Sequence, residues 1–166
     1  GWHGDAAITF GVGPLSADRQ ALSDVTRESL WAGIAAAKLG GRVTDISHAV
    51  EKSVRSHAHP YGIVAEYTGH GIGSAMHQMP DVPNYGRAGR GPKIVEGLCL
   101  AIEPMVTTGS PESAVLADEW TVVTTDGSDA AHWEHTITVT KGGLWVLTAP
   151  VCRCGDADTA AAIGGR

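Results

Sequence analysis

Three carboxylates and one imidazole stand out for their placement. Asp5 falls in an opening stretch where Asp5, Ala7 and Thr9 alternate with Ala6, Ile8 and Phe10, the two-residue period of a half-buried strand. Glu103 closes an apolar run in which Leu98, Leu100 and Ile102 point one way and Cys99, Ala101 and Glu103 the other. In residues 132–140, Trp133, His135, Ile137 and Val139 share a face, and Glu134, Thr136 and Thr138 take the opposite one. His70 lies within Gly69-His70-Gly71-Ile72-Gly73, where flanking glycines let a backbone approach a ligand. Carboxylates with an imidazole form a hard, oxygen-rich donor set suited to Mn, Fe(II), Co or Zn, and bridging carboxylates suit a pair of metals. Periodicity alone leaves a plainer reading open. Acids on the polar face of a strand are usually just solvated, and a lone histidine in a loop usually serves as a hydrogen-bonding group. The glycine run around His70 does not read as a phosphate loop, because no Lys-Ser/Thr pair and no helix pattern follow it.

The elements that must carry these groups can be read from the same pattern. Ser16 is a good N-cap for a helix reaching to about Leu39, with Leu22, Val25, Leu30, Ile34 and Ala37 as its apolar face and Gly40-Gly41 as its stop. Thr44 opens a second helix with Ile46, Val50 and Val54 on one side, ending before His59-Pro60. Strands are expected at residues 1–12, 63–67, 98–102, 120–125 and 132–140, and a hairpin turn at Lys141-Gly142-Gly143 leads into 144–148. Residues 68–97, rich in glycine, read as a long loop. Strands and helices mix without βαβ alternation, so the class is α+β. Residues 1–149 form the folded domain, and 150–166, rich in Ala, Gly and Asp, read as a disordered tail.

Composition narrows the function. The chain has 166 residues, 43% of them hydrophobic, so a single soluble domain with a real core is expected. A balance of 12 Lys and Arg against 18 Asp and Glu, net −6, argues against a nucleic-acid binder. No apolar run approaches the roughly 20 residues of a membrane helix. Three cysteines, two of them at Cys152 and Cys154, do not make a disulfide framework and favour a reducing cytoplasm.

Five motifs occur in one order: His3-Gly4-Asp5; Gly69-His70-Gly71-Ile72-Gly73 followed by Met76 and His77; Ala101-Ile102-Glu103-Pro104-Met105; Glu119-Trp120-Thr121-Val122; and Trp133-Glu134-His135-Thr136. Together they resemble type I methionine aminopeptidases over residues 1 to about 148. The resemblance implies the C-terminal portion of the pita-bread fold, a curved antiparallel sheet with helices on its outer face. It implies Asp5, His70, Glu103 and Glu134 as metal ligands, with Asp5 and Glu134 bridging and Glu103 also moving the proton. It implies His77 as a catalytic and substrate-binding group that bonds the scissile region. Trp120 and Met76 would line the pocket for methionine. The implied activity is hydrolytic removal of the N-terminal methionine from nascent polypeptides, at the ribosome, by a cytoplasmic monomer that contacts neither nucleic acid nor membrane.

The resemblance has a gap. The family carries a further metal-binding Asp before the position of Asp5 and a substrate-binding His upstream of it, and here the chain opens at Gly1. The expectation is an N-terminally truncated chain. Of the two divalent ions of the full enzyme (Co, Mn, Fe or Zn), one would keep its complete ligand set and the other only its bridging acids. The chain itself would then be weak or inactive, with part of its core uncovered. The alternatives are an X-Pro-specific peptidase of the same fold, or a non-catalytic pita-bread binding protein. The short spacing from His70 to His77 and on to Glu103 favours the methionine enzyme. The presence of every ligand that this span could hold argues against a non-catalytic relative.

Overall fold

Ser16 starts the first helix, its hydroxyl accepting the Arg19 amide at 3.3 Å. That bond satisfies one of the donors left free at a helix N-terminus. The computed structural model describes residues 1–149; the expected tail, with Cys152 and Cys154, lies outside the described residues. Helix α1 is Ala17–Ala36 and α2 is Val43–Arg55, close to the spans read from the sequence. At the start of α2 the Asp45 carboxylate accepts the Arg42 amide at 2.8 Å and the Gly89 amide at 2.7 Å.

The strands are β1 (Ala6–Ala7), β2 (Gly62–Ile63), β3 (Gly69–Gly71), β4 (Gln78–Val82), β5 (Cys99–Ile102) and β6 (Met105–Thr107). They continue with β7 (Ser113–Val115), β8 (Val122–Thr124), β9 (Ala130–His132), β10 (Glu134–Thr140) and β11 (Gly143–Val146). The largest sheet runs β1-β10-β5-β3-β4, with β11 also on β10; β2-β6-β9 and β7-β8 form smaller sheets. Every pairing is antiparallel, so the architecture is α+β.

The two helices cover one face of the large sheet. Leu30 and Ile34 of α1 and Ile46 and Val50 of α2 pack with Leu100, Ile102, Ile137 and Val139 of β5 and β10 in one buried cluster. Burial of each such side chain contributes about 1.5–3 kcal/mol. The other face of β5 and β10, by alternation, carries Ala101, Thr136 and Glu134.

Several expectations are corrected. The stretch read as a loop from 68 to 97 contains β3 and β4, so His70 sits on a buried strand. Residues 132–140 are not one strand: Trp133 separates β9, which pairs with β6, from β10, which pairs with β5. Strands β6, β7 and β9 were not anticipated; at three residues each they are too short to show a period. The opening strand shrinks to two residues. Its alternation is real, but the apolar members face outward: Ile8 is 61% and Phe10 72% exposed, while Asp5, Ala7 and Thr9 are half-buried. β1 lies at the edge of the sheet, and none of its residues joins either buried core cluster.

Gly33 sets how closely the helices approach. A Cβ there would lie 2.6 Å from Val50 Cγ2 and 3.3 Å from Ile46 Cγ2, and both partners are fully buried. Gly33→Val is expected to lower stability by about 2 kcal/mol or more through overpacking, read as a fall in the chemical-denaturation midpoint. An unchanged midpoint would show that the helices can separate at no cost.

Candidate metal centre

Strand register brings the four predicted ligands together. His70 of β3 lies opposite Ala101 of β5, and Ala101 lies opposite Thr136 of β10. Directly opposed residues share a face, and so do residues two apart along a strand. Glu103 is two residues beyond Ala101, and Glu134 two residues before Thr136, so both fall on the face of His70. Ala7 pairs with Glu134, and two residues earlier Asp5 reaches Thr136. The Asp5 amide donates to Thr136 Oγ1 at 2.8 Å, and that hydroxyl donates to the Asp5 carbonyl at 2.8 Å. The short first strand is thereby tied to the central one at the point that matters.

The side chains converge accordingly. His70 Nε2 is 3.4 Å from Glu103 Oε1 and 4.0 Å from Asp5 Oδ2. The sets His70, Glu103, Glu134 and Asp5, His70, His77 each offer donor atoms within 4.8 Å of one another. Glu103 and Glu134 are buried, at 9% and 3% exposure. Among the described residues, none of the three acids has a Lys or Arg within ion-pair distance; the partners they have are histidines. Burial, followed by the nearby charges of Glu103 and Asp5, pushes the Glu134 carboxyl up to about 8, and Glu134 Oε1 has no hydrogen-bond partner. Buried acids crowded together without a cation, one with an orphaned oxygen, are a donor set that a divalent ion fits.

The glycines beside His70 have a different purpose from the one expected. A Cβ on Gly69 would strike the Ala101 carbonyl, and one on Gly71 the Met79 carbonyl. They admit neighbouring strands, not a ligand. His70 Nδ1 lies 3.0 Å from the Gly71 carbonyl, an arrangement that leaves Nε2 toward the acids. His77 is exposed, yet its ring centroid is 4.4 Å from that of His70, which places it at the rim of the site. His3 fastens the chain start to the same region through its amide, which donates to the Gly73 carbonyl at 2.8 Å.

Met76 and Trp120 are exposed, Trp120 at 87%. Neither lines the apolar cavity of about 210 Å³ whose walls include Val64, Tyr67, Met105, Val123 and His132. His132 was given no role by the sequence, yet its Nε2 is 3.5 Å from Glu103 Oε2 and 4.0 Å from Glu134 Oε2. Its position two residues before Glu134 was the only available signal, and Trp133 breaks the strand between them. His135, by contrast, faces the helices and lies 5.4 Å from Trp31 between ring centroids.

A buried carboxylate-histidine cluster on an antiparallel sheet backed by two helices is a candidate divalent-metal centre on a fold of the pita-bread type. Residues 1–141 match the model of metallopeptidase family M24, and the chain belongs to that family. It is 57% identical over 152 residues to methionine aminopeptidase 1 of Mycobacterium tuberculosis, covering 89% of this chain and 57% of that protein. It is 47% identical over 148 residues to methionine aminopeptidase 1 of Bacillus subtilis, covering 89% and 59%. A crystal structure of methionine aminopeptidase from Thermotoga maritima superposes with a TM-score of 0.84 at 43% identity, covering 89% of this chain and 58% of that one. Prolidase from Pyrococcus furiosus shares the fold, with a TM-score of 0.66 at 18% identity over 90% of this chain and 38% of that one. The chain thus spans less than two thirds of the length of these relatives.

The raised Glu134 carboxyl has a signed consequence. With its folded value near 8 against an ordinary value of 4.5, the metal-free fold holds a proton that the unfolded chain releases. This group therefore contributes stability at low pH that is lost as pH rises through about 4.5 to 8. In the presence of a chelator, the drop in Tm across that window is expected to shrink in Glu134→Gln. An equal drop in parent and variant would place the titration elsewhere.

Proposed function

We propose that this chain carries the metal centre of a methionine aminopeptidase, an enzyme that removes the N-terminal methionine of nascent polypeptides. The observation that supports this most directly is the convergence of Asp5, His70, Glu103 and Glu134 on one face of the sheet, in a chain 57% identical to a methionine aminopeptidase. His70, Glu103 and Glu134, with Asp5, would hold a divalent ion. When bound, the ion acts as a Lewis acid that polarises a peptide carbonyl and acidifies water. Glu103 takes a proton from the attacking water and passes it toward the leaving amine. His77, beside His70, donates to the scissile region and orients it. Met76 and Trp120 supply apolar surface near the methionine side chain once substrate is present. The setting that fits this reading is cytoplasmic, with peptides emerging from ribosomes as substrates and the protein acting as a monomer. Among the described residues no helix is long and apolar enough to cross a membrane.

Calorimetric titration with Co(II) or Mn(II) is expected to show one tight site per chain; two tight sites would overturn the assignment of a single complete ligand set.

Supplied with either ion, and carried within a protein of its relatives' full length, the chain is expected to release methionine from Met-Gly-Met-Met and to leave an X-Pro dipeptide intact, whereas the chain by itself is expected to be weak or inactive. Glu103→Gln should lower kcat by about 100-fold or more, the range of general acid-base contributions. Preferential cleavage of the X-Pro substrate, or normal turnover in Glu103→Gln, would refute the assignment.

A further inference from the structure

We propose that His132 is a positioning residue for Glu103, its Nε2–H donating to Glu103 Oε2 and so fixing the orientation of that carboxylate for metal. The inference rests on the reading of Asp5, His70, Glu103 and Glu134 as a metal centre.

The Glu103 carboxylate is spanned by two imidazoles. Its Oε1 is 3.4 Å from His70 Nε2, and its Oε2 is 3.5 Å from His132 Nε2. His132 Nε2 is shielded from solvent and has no hydrogen-bond partner. Glu103 Oε2 is the nearer of the two carboxylate oxygens it faces, with Glu134 Oε2 at 4.0 Å. A buried ring N–H is seldom left without an acceptor, and a shift of a few tenths of an ångström brings this pair to ordinary hydrogen-bond length.

The backbone around His132 is held firmly enough to aim the ring. Its amide donates to Thr9 Oγ1 at 3.0 Å, and the Thr9 hydroxyl donates back to its carbonyl at 2.7 Å. Across β6, His132 is paired with Met105, two residues beyond Glu103. Glu103 is anchored in turn through its carbonyl, which accepts from Asn84 Nδ2 at 3.1 Å.

The same distances argue against His132 as a ligand. Neither donor set within 4.8 Å includes it, and its nitrogen approaches Oε2, whereas His70 approaches Oε1. A carboxylate that offers one oxygen to a metal turns freely unless the other oxygen is engaged. Partners of this kind, one step removed from the metal, typically change metal affinity by about 10–100-fold when lost. His132 also lines the apolar cavity, so this contact ties the cavity wall to the metal-binding acid.

The test is a Co(II) titration of the 166-residue chain by calorimetry, with the visible Co(II) spectrum recorded alongside. His132→Leu is expected to weaken binding by about 10–100-fold with little change in the metal-free Tm. His132→Gln, which retains an amide donor, is expected to stay within a few-fold of the parent with an unshifted spectrum. Parent-like affinity in His132→Leu would overturn the inference and leave the metal centre standing. Equal losses in both variants, or a shifted spectrum in His132→Gln, would overturn it in favour of direct ligation or packing. Should His132→Leu fail to fold, His132→Gln decides alone, and a loss beyond about 10-fold overturns the proposal. No Co(II) binding by the parent would overturn the metal centre together with this inference.

Discussion

The constraint on which the rest depends is the crowding of three carboxylates on one face of a sheet with, among the described residues, no Lys or Arg within ion-pair distance of them. Asp5 immediately precedes β1, Glu103 immediately follows β5 and Glu134 opens β10, and the groups of opposite tendency beside them are His70 and His132. Burial makes the charged form of Glu134 costly, and the neighbouring acids add to that cost. A protein does not hold such an arrangement for stability, since an apolar replacement would serve the core better. It is intelligible as a donor set for a divalent cation, whose attraction to each carboxylate outweighs their mutual repulsion.

The sheet makes this crowding possible through register. The row His70, Ala101, Thr136 crosses three strands, and its small middle member leaves room above it for the acids on either side. Glycine at 69 and 71 lets β3 press against its neighbours, which a side chain would prevent. Thr136 then binds the backbone of Asp5 with both its donor and its acceptor. A two-residue strand is a weak element by itself, and this contact compensates. On the reverse face, the apolar residues of the same strands pack under α1 and α2, so the alternation that faces the acids inward also builds the core.

Much of this was legible in the residues. The start of α1 followed from the Ser16 cap, which acts locally, whereas α1 ends at Ala36 and α2 at Arg55, short of the breakers Gly40-Gly41 and His59-Pro60. The faces of β5 and β10 followed from alternation, so Glu103 and Glu134 were correctly placed opposite Ile102 and Ile137. What escaped was decided by contacts distant in sequence. Strands of three residues, such as β3, β6 and β9, exist because a partner strand supplies their hydrogen bonds. Ile8 and Phe10 look like an inward face until the sheet edge is known. The glycines around His70 look like ligand-binding loop residues until the carbonyls of Ala101 and Met79 are seen against them.

The sequence by itself determined which groups could bind a metal, their order along the chain, the face that each acid takes on its strand, and membership of a recognisable family. Those properties are local or one-dimensional: residue type, spacing and period. Only the tertiary structure decided that Asp5 meets His70 across 65 residues, that His77 returns to the rim, and that His132 lies against Glu103. Each of these depends on strand register, and the last also on the interruption between β9 and β10 at Trp133; register is set by the packing of both sheet faces at once.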